Sequence, residues 1–168
     1  MTSAAVPAGV YAAAVEPALE AALARIVAFL GPVHSTAVGW ATVDLDRAEG
    51  ELGGAGRTVS LPDDSLLGAH CRLVPVRAPG PPLVLLEPST EGRLAASLAR
   101  FGEGPIVLYL RIPARTLARL RVVAPASGVH CSRPARGPFG QSVVVLNGPP
   151  SGPHLIVTEA AAAGTIEP

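Results

Sequence analysis

The stretch LVLLEPSTEGRLAASLARFGEGPIVLYLR, from Leu83 to Arg111, predicts a strand, a helix, a glycine-bounded turn and a second strand. The apolar run from Leu83 to Leu86 has the length of a short buried strand and ends at a Glu-Pro pair. The segment from Pro105 to Ile112 is apolar and β-branched, which favours a second buried strand. The stretch therefore forms a bridge between two halves of the chain.

The middle of this bridge predicts a helix. Leu94, Leu98 and Phe101 recur with the spacing of a single helix face. The Ser89-Thr90 pair is a capping signal at the start, and Gly102 is a stop signal at the end. We expect residues 89–104 to form a linking helix with its flanking turns.

The composition is that of one globular domain. The chain has 168 residues, of which 49% are hydrophobic, enough for one core. All 13 basic residues are arginine and 13 acidic residues balance them, so the formal net charge is zero. This balance argues against nucleic acid as the main partner, because phosphate neutralisation requires clustered positive charge.

The two cysteines indicate a reducing compartment. Cys71 and Cys131 are too few for a disulfide framework, and neither belongs to a C-x-x-C pair. We expect both to be reduced packing residues in a cytoplasmic protein. No basic residue precedes Arg25 and no apolar segment is long enough to span a bilayer, so we expect neither a signal peptide nor a membrane span.

Residues 1–32 are expected to form an N-terminal arm and helix. Pro17 suits a first helical position, and a stripe of four apolar residues follows it: Leu19, Leu23, Ile26 and Leu30. The stripe predicts a helix that packs on its own domain. Its spacing also fits a helix seam between two protomers.

The chain before the bridge predicts a βαβββ module over residues 33–88. An apolar strand that begins near Ala37 runs into Asp44, which can start a short helix ending at Leu52. Short strands are then predicted at residues 57–61, 69–76 and 83–87.

The same order of elements returns over residues 105–162. A strand at 106–112 precedes a helix with Leu117 and Leu120 on its inner side, and further strands are predicted near Val129, at 142–146 and at 155–159. A shift of 72 residues places the last strand of one half over the last strand of the other. The pattern therefore indicates an internal repeat.

The order of these motifs resembles the vicinal oxygen chelate superfamily. The resemblance spans residues 37–159 and rests on VDLD after the first strand, LLEP followed by a helix and GEG, and a terminal G-x-x-L-x-V-x-E. The bridge is most similar to the methylmalonyl-CoA epimerase and glyoxalase-like branch. The resemblance implies an α+β fold in which two βαβββ modules form a curled, barrel-like mixed sheet, here with an extra N-terminal helix. It also implies a central cavity with a divalent metal held by one ligand from each of four strands.

The four metal-ligand positions implied by the resemblance are aliphatic in this chain. They fall on Ala37, Val84, Val107 and Ile156. Divalent metals need nitrogen, oxygen or sulfur donors, which alkyl side chains lack. We therefore expect neither a metal nor another cofactor.

Strand parity extends this set, because side chains two residues apart face the same way. The further inward positions are Gly39, Ala41, Tyr109, Arg111, His154 and Thr158. Arg111 is predicted to anchor an anionic group, Tyr109 to donate to the same oxygen, and His154 to act as a general acid or base near neutral pH. Each also has a structural interpretation: an ion pair, a core side chain and a solvated strand end.

Arg111 is the chief predicted anchor. A guanidinium directed into an apolar cavity loses hydration and needs an anionic partner. No acid occupies the inward positions that parity assigns, so a ligand is the expected partner.

Other polar residues have weaker functional interpretations. His70-Cys71 and His130-Cys131 place neighbours on opposite strand faces, so neither pair can act as a Cys-His unit, and which members face the cavity stays open. Glu87 and Glu159 end equivalent strands, which predicts a rim position. Arg115 and Arg119 can meet a CoA phosphate or an acidic carrier protein, although a solvated helix face also accounts for them.

Two function classes follow. The first is a metal-independent enzyme, assigned to bacterial secondary metabolism, for proton transfer, isomerisation, elimination or cyclisation on an acyl or polyketide-like substrate, free or carried on CoA or a carrier protein. The second resembles the metal-free bleomycin-resistance members, which bind a drug between protomers, although 2 Tyr, 1 Trp and 3 Phe leave few rings for stacking. A third hypothesis is that the protein is a scaffold that binds no ligand. We expect a homodimer, because curled sheets leave edges that can pair between chains.

Overall fold

The computed structural model describes Ala24 and residues 34–52, 56–75, 82–146 and 153–159. The first half of the chain contains β1 (His34–Ala41), α1 (Leu45–Leu52), β2 (Val59–Asp64), β3 (Ala69–Val74) and β4 (Leu83–Pro88). The linking helix is α2 (Arg93–Phe101). The second half contains β5 (Gly104–Ile112), α3 (Leu117–Val123), a 3₁₀ helix (Ala124–Ser127), β6 (Ala135–Gly137), β7 (Gly140–Val144) and β8 (His154–Glu159).

The described strands form one mixed sheet in the order β2-β3-β4-β1-β5-β8-β7-β6. Its centre is the antiparallel pair β1 and β5, and each of these strands pairs in parallel with the last strand of its own half. The two edges approach each other, and the Ser65 amide donates to the Arg136 carbonyl oxygen at 3.0 Å. The sheet is therefore a nearly closed barrel, and the predicted α+β fold is confirmed.

The repeat of 72 residues is visible in how the two module helices begin. The Leu45 amide at the start of α1 donates to Glu87 Oε1 at 3.3 Å. The Leu117 amide at the start of α3 donates to Glu159 Oε1 at 3.3 Å. A glutamate at the end of each module's last strand thus holds the first turn of that module's helix, where the amides lack partners within the helix.

The two faces of the sheet carry separate apolar layers. The outer layer packs against α1 and α3 and includes Val38, Leu85, Leu108, Leu120 and Val157. The inner layer packs against α2 and includes Ala37, Val84, Leu94, Val107 and Ile156. The alternation of buried residues along β1, β4, β5 and β8 fills both layers, as expected for strands covered on both faces.

The start of the linking helix differs from the prediction. α2 begins at Arg93 after Gly92, and no side chain caps it, so the Ser89-Thr90 signal was misread. The Leu94 amide instead donates to the Leu67 carbonyl oxygen in the turn between β2 and β3, at 3.1 Å. A tertiary contact thus takes the place of a local cap. The predicted end is confirmed, because the Gly102 amide bonds the Leu98 carbonyl oxygen.

The strand predicted near Val129 is also wrong. Val129 is buried, but the chain around it leaves the 3₁₀ helix through Gly128, whose φ is 71°, and contributes a single bridge from Cys131 to Val145. The edge strand of this module is β6, at 135–137. The predicted N-terminal helix and its seam lie outside the described residues, except for Ala24. No helix in the described ranges is long and apolar enough to cross a membrane.

Candidate active site

The inner face of the barrel contains the four positions at which the resemblance implies metal ligands. Ala37, Val84, Val107 and Ile156 come from four different strands, are 0% exposed, and belong to one apolar cluster. Their side chains offer only alkyl groups, whereas a divalent metal needs donor atoms. The residues present therefore do not fit a metal at this place. Among the described residues, no group of three or more His, Cys, Asp or Glu side chains is arranged to hold one.

A buried hydrogen bond lies among these aliphatic residues. The Tyr109 hydroxyl donates to Asp64 Oδ2 at 2.8 Å, and both residues are 0% exposed. Tyr109 lies opposite Ala37 in the register of β1 and opposite Ile156 in the register of β8. A hydroxyl and a carboxyl group therefore meet in the part of the inner face where the resemblance implies a metal.

Asp64 also shapes the turn that follows β2. Its Oδ1 accepts hydrogen bonds from the Leu66 amide at 2.9 Å and the Leu67 amide at 3.2 Å. Burial raises the pKa of the Asp64 carboxyl, while the bonds from Tyr109 and the two amides oppose that rise. Burial and the charge of Asp64 raise the pKa of Tyr109 well above its ordinary value, so its hydroxyl keeps its proton. The pair can donate through Tyr109 and accept through Asp64.

The packing around Tyr109 is close. Its ring meets Phe139 edge to face, with the ring centroids 5.3 Å apart and the planes at 77°. At Gly39, a Cβ would come within 2.7 Å of both Leu86 Cδ1 and Val107 Cβ, so any larger residue requires these neighbours to shift. The predicted lining residue Ala41 is likewise 0% exposed. In this structure, the predicted lining of the cavity is packed core.

His154 is not solvated. It is 3% exposed at the start of β8, and its Nε2 lies 3.4 Å from Ser97 Oγ of α2. Burial, with a smaller effect of the nearby Arg93 charge, lowers the pKa of His154 to about 4. The expectation of an ordinary imidazole pKa is therefore wrong, because the ring is shielded from water. At neutral pH the ring is uncharged.

Arg111 is placed differently from the prediction. Its neighbours Leu110 and Ile112 are buried, whereas Arg111 itself is exposed near the end of β5. The guanidinium is hydrated, so the expectation of a buried charge that needs a ligand is wrong. Thr158, which pairs with Arg111 across the strands, is 0% exposed and donates to the carbonyl oxygens of Phe139 and Gln141.

The structure brings Tyr109 together with Asp64 and His154 with Ser97, and it leaves Arg111 at the solvent end of its strand. Sequence reasoning missed Asp64 because the predicted strand ended at Leu61, before the inward acid. The signal for it was the run Asp64 to Gly68, since an aspartate that accepts from amides two and three residues later is typical of a tight turn.

His70 and Cys71 lie on opposite faces of β3, as predicted, whereas His130 and Cys131 lie outside a strand and line one pocket, so the prediction is wrong for that pair. Cys71 belongs to the inner apolar cluster, and burial raises the pKa of its thiol to about 12. His70 is exposed and its Nδ1 lies 3.0 Å from Asp63 Oδ1. Cys131 packs against the outer cluster, while His130 is exposed. Of these four residues, Cys71 alone joins the inner face.

Neither a protein-family model nor a curated protein sequence matches the chain. Solved structures match its fold. A hypothetical protein from Bacillus halodurans has a TM-score of 0.62 at 18% identity, covering 77% of this chain and 96% of that chain. Methylmalonyl-CoA epimerase from Mycobacterium tuberculosis has a TM-score of 0.60 at 21% identity, covering 76% and 88%. A variant of the Streptomyces coelicolor methylmalonyl-CoA epimerase, in complex with 2-nitronate-propionyl-CoA, has a TM-score of 0.58 at 18% identity, covering 76% and 97%.

At identities of 18% to 21% these matches show the fold. The chain has the fold of the vicinal oxygen chelate superfamily.

Proposed function

We propose that the protein is a metal-independent enzyme that transfers a proton at the carbon next to a carbonyl group, in an acyl substrate free or carried on CoA or a carrier protein. The observation that carries this proposal is the 2.8 Å hydrogen bond between Tyr109 and Asp64, 0% exposed, on the inner face. The pair offers a hydrogen-bond donor and a base, the two groups that enolate formation from an acyl substrate requires. The methylmalonyl-CoA epimerases of the same fold, one of them in complex with methylmalonyl-CoA, support this substrate class.

The pair supplies both groups that such a reaction needs. When the α C–H bond breaks, its proton passes to Asp64 Oδ2, and its electron pair forms the enolate, whose negative charge rests on the former carbonyl oxygen. The Tyr109 hydroxyl turns its hydrogen bond from Oδ2 to that oxygen, which frees Oδ2 as the base. Return of the proton to carbon completes the transfer. A carboxyl group whose pKa is raised by burial is a stronger base than an exposed one.

The other predicted residues take supporting roles in this proposal. Arg111, exposed at the end of β5, binds an anionic group of the substrate or of its carrier, such as a carboxylate or phosphate. His154 is uncharged at neutral pH, so we assign it the positioning of the acyl group together with Ser97, 3.4 Å away. The acyl group reaches the pair when the inner face opens, because Tyr109 and Asp64 are closed to solvent in this structure. Secondary metabolism stays the proposed setting.

Proton exchange tests the reaction directly. Propionyl-CoA and methylmalonyl-CoA are incubated with the protein in D2O, and deuterium at the α-carbon is measured by mass spectrometry with and without EDTA. We expect exchange that EDTA does not change. Asp64→Asn keeps an oxygen for the two turn amides and loses the base, so exchange should fall about a hundredfold or more. The matched control is Asp63→Asn, an exposed neighbour whose loss should leave the rate unchanged.

Arg111→Met separates anchoring from chemistry. Loss of an exposed charge should raise KM at nearly constant kcat and leave the unfolding free energy within about 0.5 kcal/mol of the parent. Exchange that persists in Asp64→Asn, or that disappears with EDTA, contradicts the proposed mechanism.

The second candidate is a metal-free protein that binds and sequesters a small molecule such as an antibiotic. The observation that favours it is the aliphatic character of Ala37, Val84, Val107 and Ile156, which suits an apolar ligand. Thermal stabilisation by such a ligand, in a protein that exchanges no α-proton in any acyl-CoA tested, selects this function over the first.

A further inference from the structure

The outer side of the second module has a small pocket that the proposed reaction does not use. Its volume is about 130 Å³, and it is lined by Arg121, Ala124, Pro125, His130 and Cys131. These residues lie on α3, on the 3₁₀ helix and on the segment that bridges to β7, on the opposite face of the sheet from Tyr109 and Asp64. The internal repeat allows this place to be compared with its equivalent in the first module.

The first module fills the equivalent place with a polar cluster. Arg72 Nη1 of β3 lies 2.7 Å from Asp46 Oδ1 and 2.6 Å from Glu49 Oε2, both on α1. The Thr58 hydroxyl donates to Glu49 Oε1 at 2.6 Å. The strand guanidinium is therefore matched by two helix carboxylates and a hydroxyl.

The second module changes the helix side of this cluster. The helices α1 and α3 superimpose with a shift of 72 residues, as their first residues and their glutamate partners show. With that shift, Arg121 takes the place of Glu49, and Ala118 takes the place of Asp46. A positive charge thus replaces one carboxylate, and a methyl group replaces the other.

The strand side of the cluster changes as well. Arg72 lies opposite Leu85 and Val143 lies opposite Val157, so the register gives Val143 the place of Arg72. The bridge from Cys131 to Val145 places Cys131 where the first module has Thr58. Val143 is 0% exposed and fills the core. In the second module the guanidinium therefore lies on the helix and not on the strand, and no carboxylate occupies the positions equivalent to Asp46 and Glu49.

Arg121 consequently faces the pocket without an acidic partner. Within the described residues, no carboxylate lies at ion-pair distance from its guanidinium, and none lines the pocket. His130 adds ring nitrogens at the wall, and Cys131 adds a thiol. A volume of about 130 Å³ is well below the range of drug-sized ligand sites, so only a small group can enter.

We propose that this pocket binds a compact oxyanion, a phosphate or carboxylate group, through the fork of the Arg121 guanidinium. The guanidinium donors match two oxygens of such a group at once, which a point charge cannot do. The bound oxyanion supplies the negative charge that Glu49 and Asp46 supply in the first module. The site is independent of the reaction proposed for the inner face.

The test is an NMR titration of the full chain at constant ionic strength. Three probes are added separately: inorganic phosphate, adenosine 3′,5′-bisphosphate and acetate. We expect saturable shifts of the Ala124 and Cys131 amides with at least one probe, and the tightest probe identifies the source as free phosphate, a phosphate ester or a carboxylate. Arg121→Gln should weaken that binding about tenfold or more, as expected for the loss of charge-assisted hydrogen bonds.

Arg119→Gln is the matched control, because Arg119 is exposed on the same helix outside the pocket. It should change the affinity less than about twofold, since a distant surface charge is screened. Arg121→Lys keeps the charge without the fork and should give intermediate binding. Equal losses in Arg119→Gln and Arg121→Gln, or the absence of saturable shifts with all three probes, overturns the proposal.

Discussion

Asp64 shows how a carboxyl group is accommodated in an apolar interior. Removing a carboxylate from water is costly, and three hydrogen bonds offset that cost, from Tyr109 and from the Leu66 and Leu67 amides. The two oxygens have different tasks. Oδ1 serves the turn after β2, whereas Oδ2 meets Tyr109 across the inner face. Only the second oxygen is available for chemistry without loss of the turn.

Tyr109→Phe should destabilise the fold. The variant keeps the ring and its contact with Phe139 but leaves Oδ2 of Asp64 buried without a donor, which costs roughly 1–3 kcal/mol of unfolding free energy. The measurement is urea unfolding, and Thr158→Val is the control, because that hydroxyl makes only long bonds, of 3.3 and 3.4 Å. If Tyr109→Phe lowers the unfolding free energy no more than Thr158→Val does, the hydrogen bond between Tyr109 and Asp64 contributes little to stability.

The same variant has a defined pH dependence. The pKa of Asp64 is raised above its unfolded value of 3.8, so the native state binds the extra proton and stability falls as pH rises through that range. The Tyr109 hydrogen bond opposes this rise in pKa. Its removal raises the pKa further, so the stability difference between parent and Tyr109→Phe should grow as the pH is increased above about 4.

His154 should make the protein sensitive to acid. Its pKa falls from 6.5 in the unfolded chain to about 4 in the folded one, so the stability contribution is complete above 6.5 and is lost as pH falls toward 4. The shift corresponds to roughly 3 kcal/mol. Unfolding free energies from pH 7 to pH 4 should fall less steeply for His154→Gln than for the parent. An equal slope in the parent and in His154→Gln would contradict the assignment.

At the level of elements, two of the three glutamates of the bridge, Glu87 and Glu103, support the same loop between β1 and α1. Glu87 accepts from the Leu45 amide. Glu103 accepts from the Val43 amide and the Thr42 hydroxyl, both at 2.8 Å, and its pKa is lowered to about 2 by the Arg47 guanidinium and these two bonds. The LLEP and GEG motifs are therefore structural, because they fix the chain where it leaves the central strand.

The two helix starts offer a paired test of the repeat. Glu87→Gln and Glu159→Gln keep an acceptor oxygen but remove the charge next to the first turn of α1 and of α3. Each should lower the unfolding free energy by about 0.5–1 kcal/mol, and the double variant should lose the sum, because the sites belong to separate modules. Chemical denaturation measures all three. A large loss at one site alone would show that the two glutamates are not equivalent.

Sequence reasoning reached the repeat and the strand faces because both follow from local periodicity. The resemblance placed Ala37, Val84, Val107 and Ile156 on one inner face, alternation extended that face, and the four residues lie in one buried cluster. The alternation could not predict how far along the barrel each residue lies, and therefore whether its side chain is buried or exposed. Arg111 has inward parity and is exposed, because parity fixes direction and not the distance from the barrel's end. Pairs such as His154 with Ser97 were missed because they join elements 57 residues apart.

At the level of the whole molecule, closure of the sheet changes the argument for a dimer. The edge strands were expected to pair between chains, yet here the chain after β2 and strand β6 meet within one chain, through Ser65 and Arg136. Edge pairing therefore gives little reason for association. The homodimer stays a prediction that rests on the apolar stripe of residues 19–30 in the sequence.

Light scattering of the full chain and of a chain lacking residues 1–31 tests this. We expect a dimer that becomes a monomer on deletion, because the deletion removes the stripe that would form the seam. A dimer that survives the deletion would assign the helix to its own domain. A monomeric full chain would refute the homodimer.

The backbone hydrogen bond from Ser65 to Arg136, where the two edges of the sheet meet, also has a consequence for the rate of binding. Tyr109 is 0% exposed in this structure, so a molecule reaches it only when the protein opens, and we predict that this opening occurs where Ser65 and Arg136 meet. If opening must precede binding, the observed binding rate cannot exceed the rate of opening, however much ligand is added. In stopped-flow experiments, the observed rate of binding should level off, at high ligand concentration, at the rate with which Ser65 and Arg136 separate. A strictly linear dependence would mean that the interior is open most of the time.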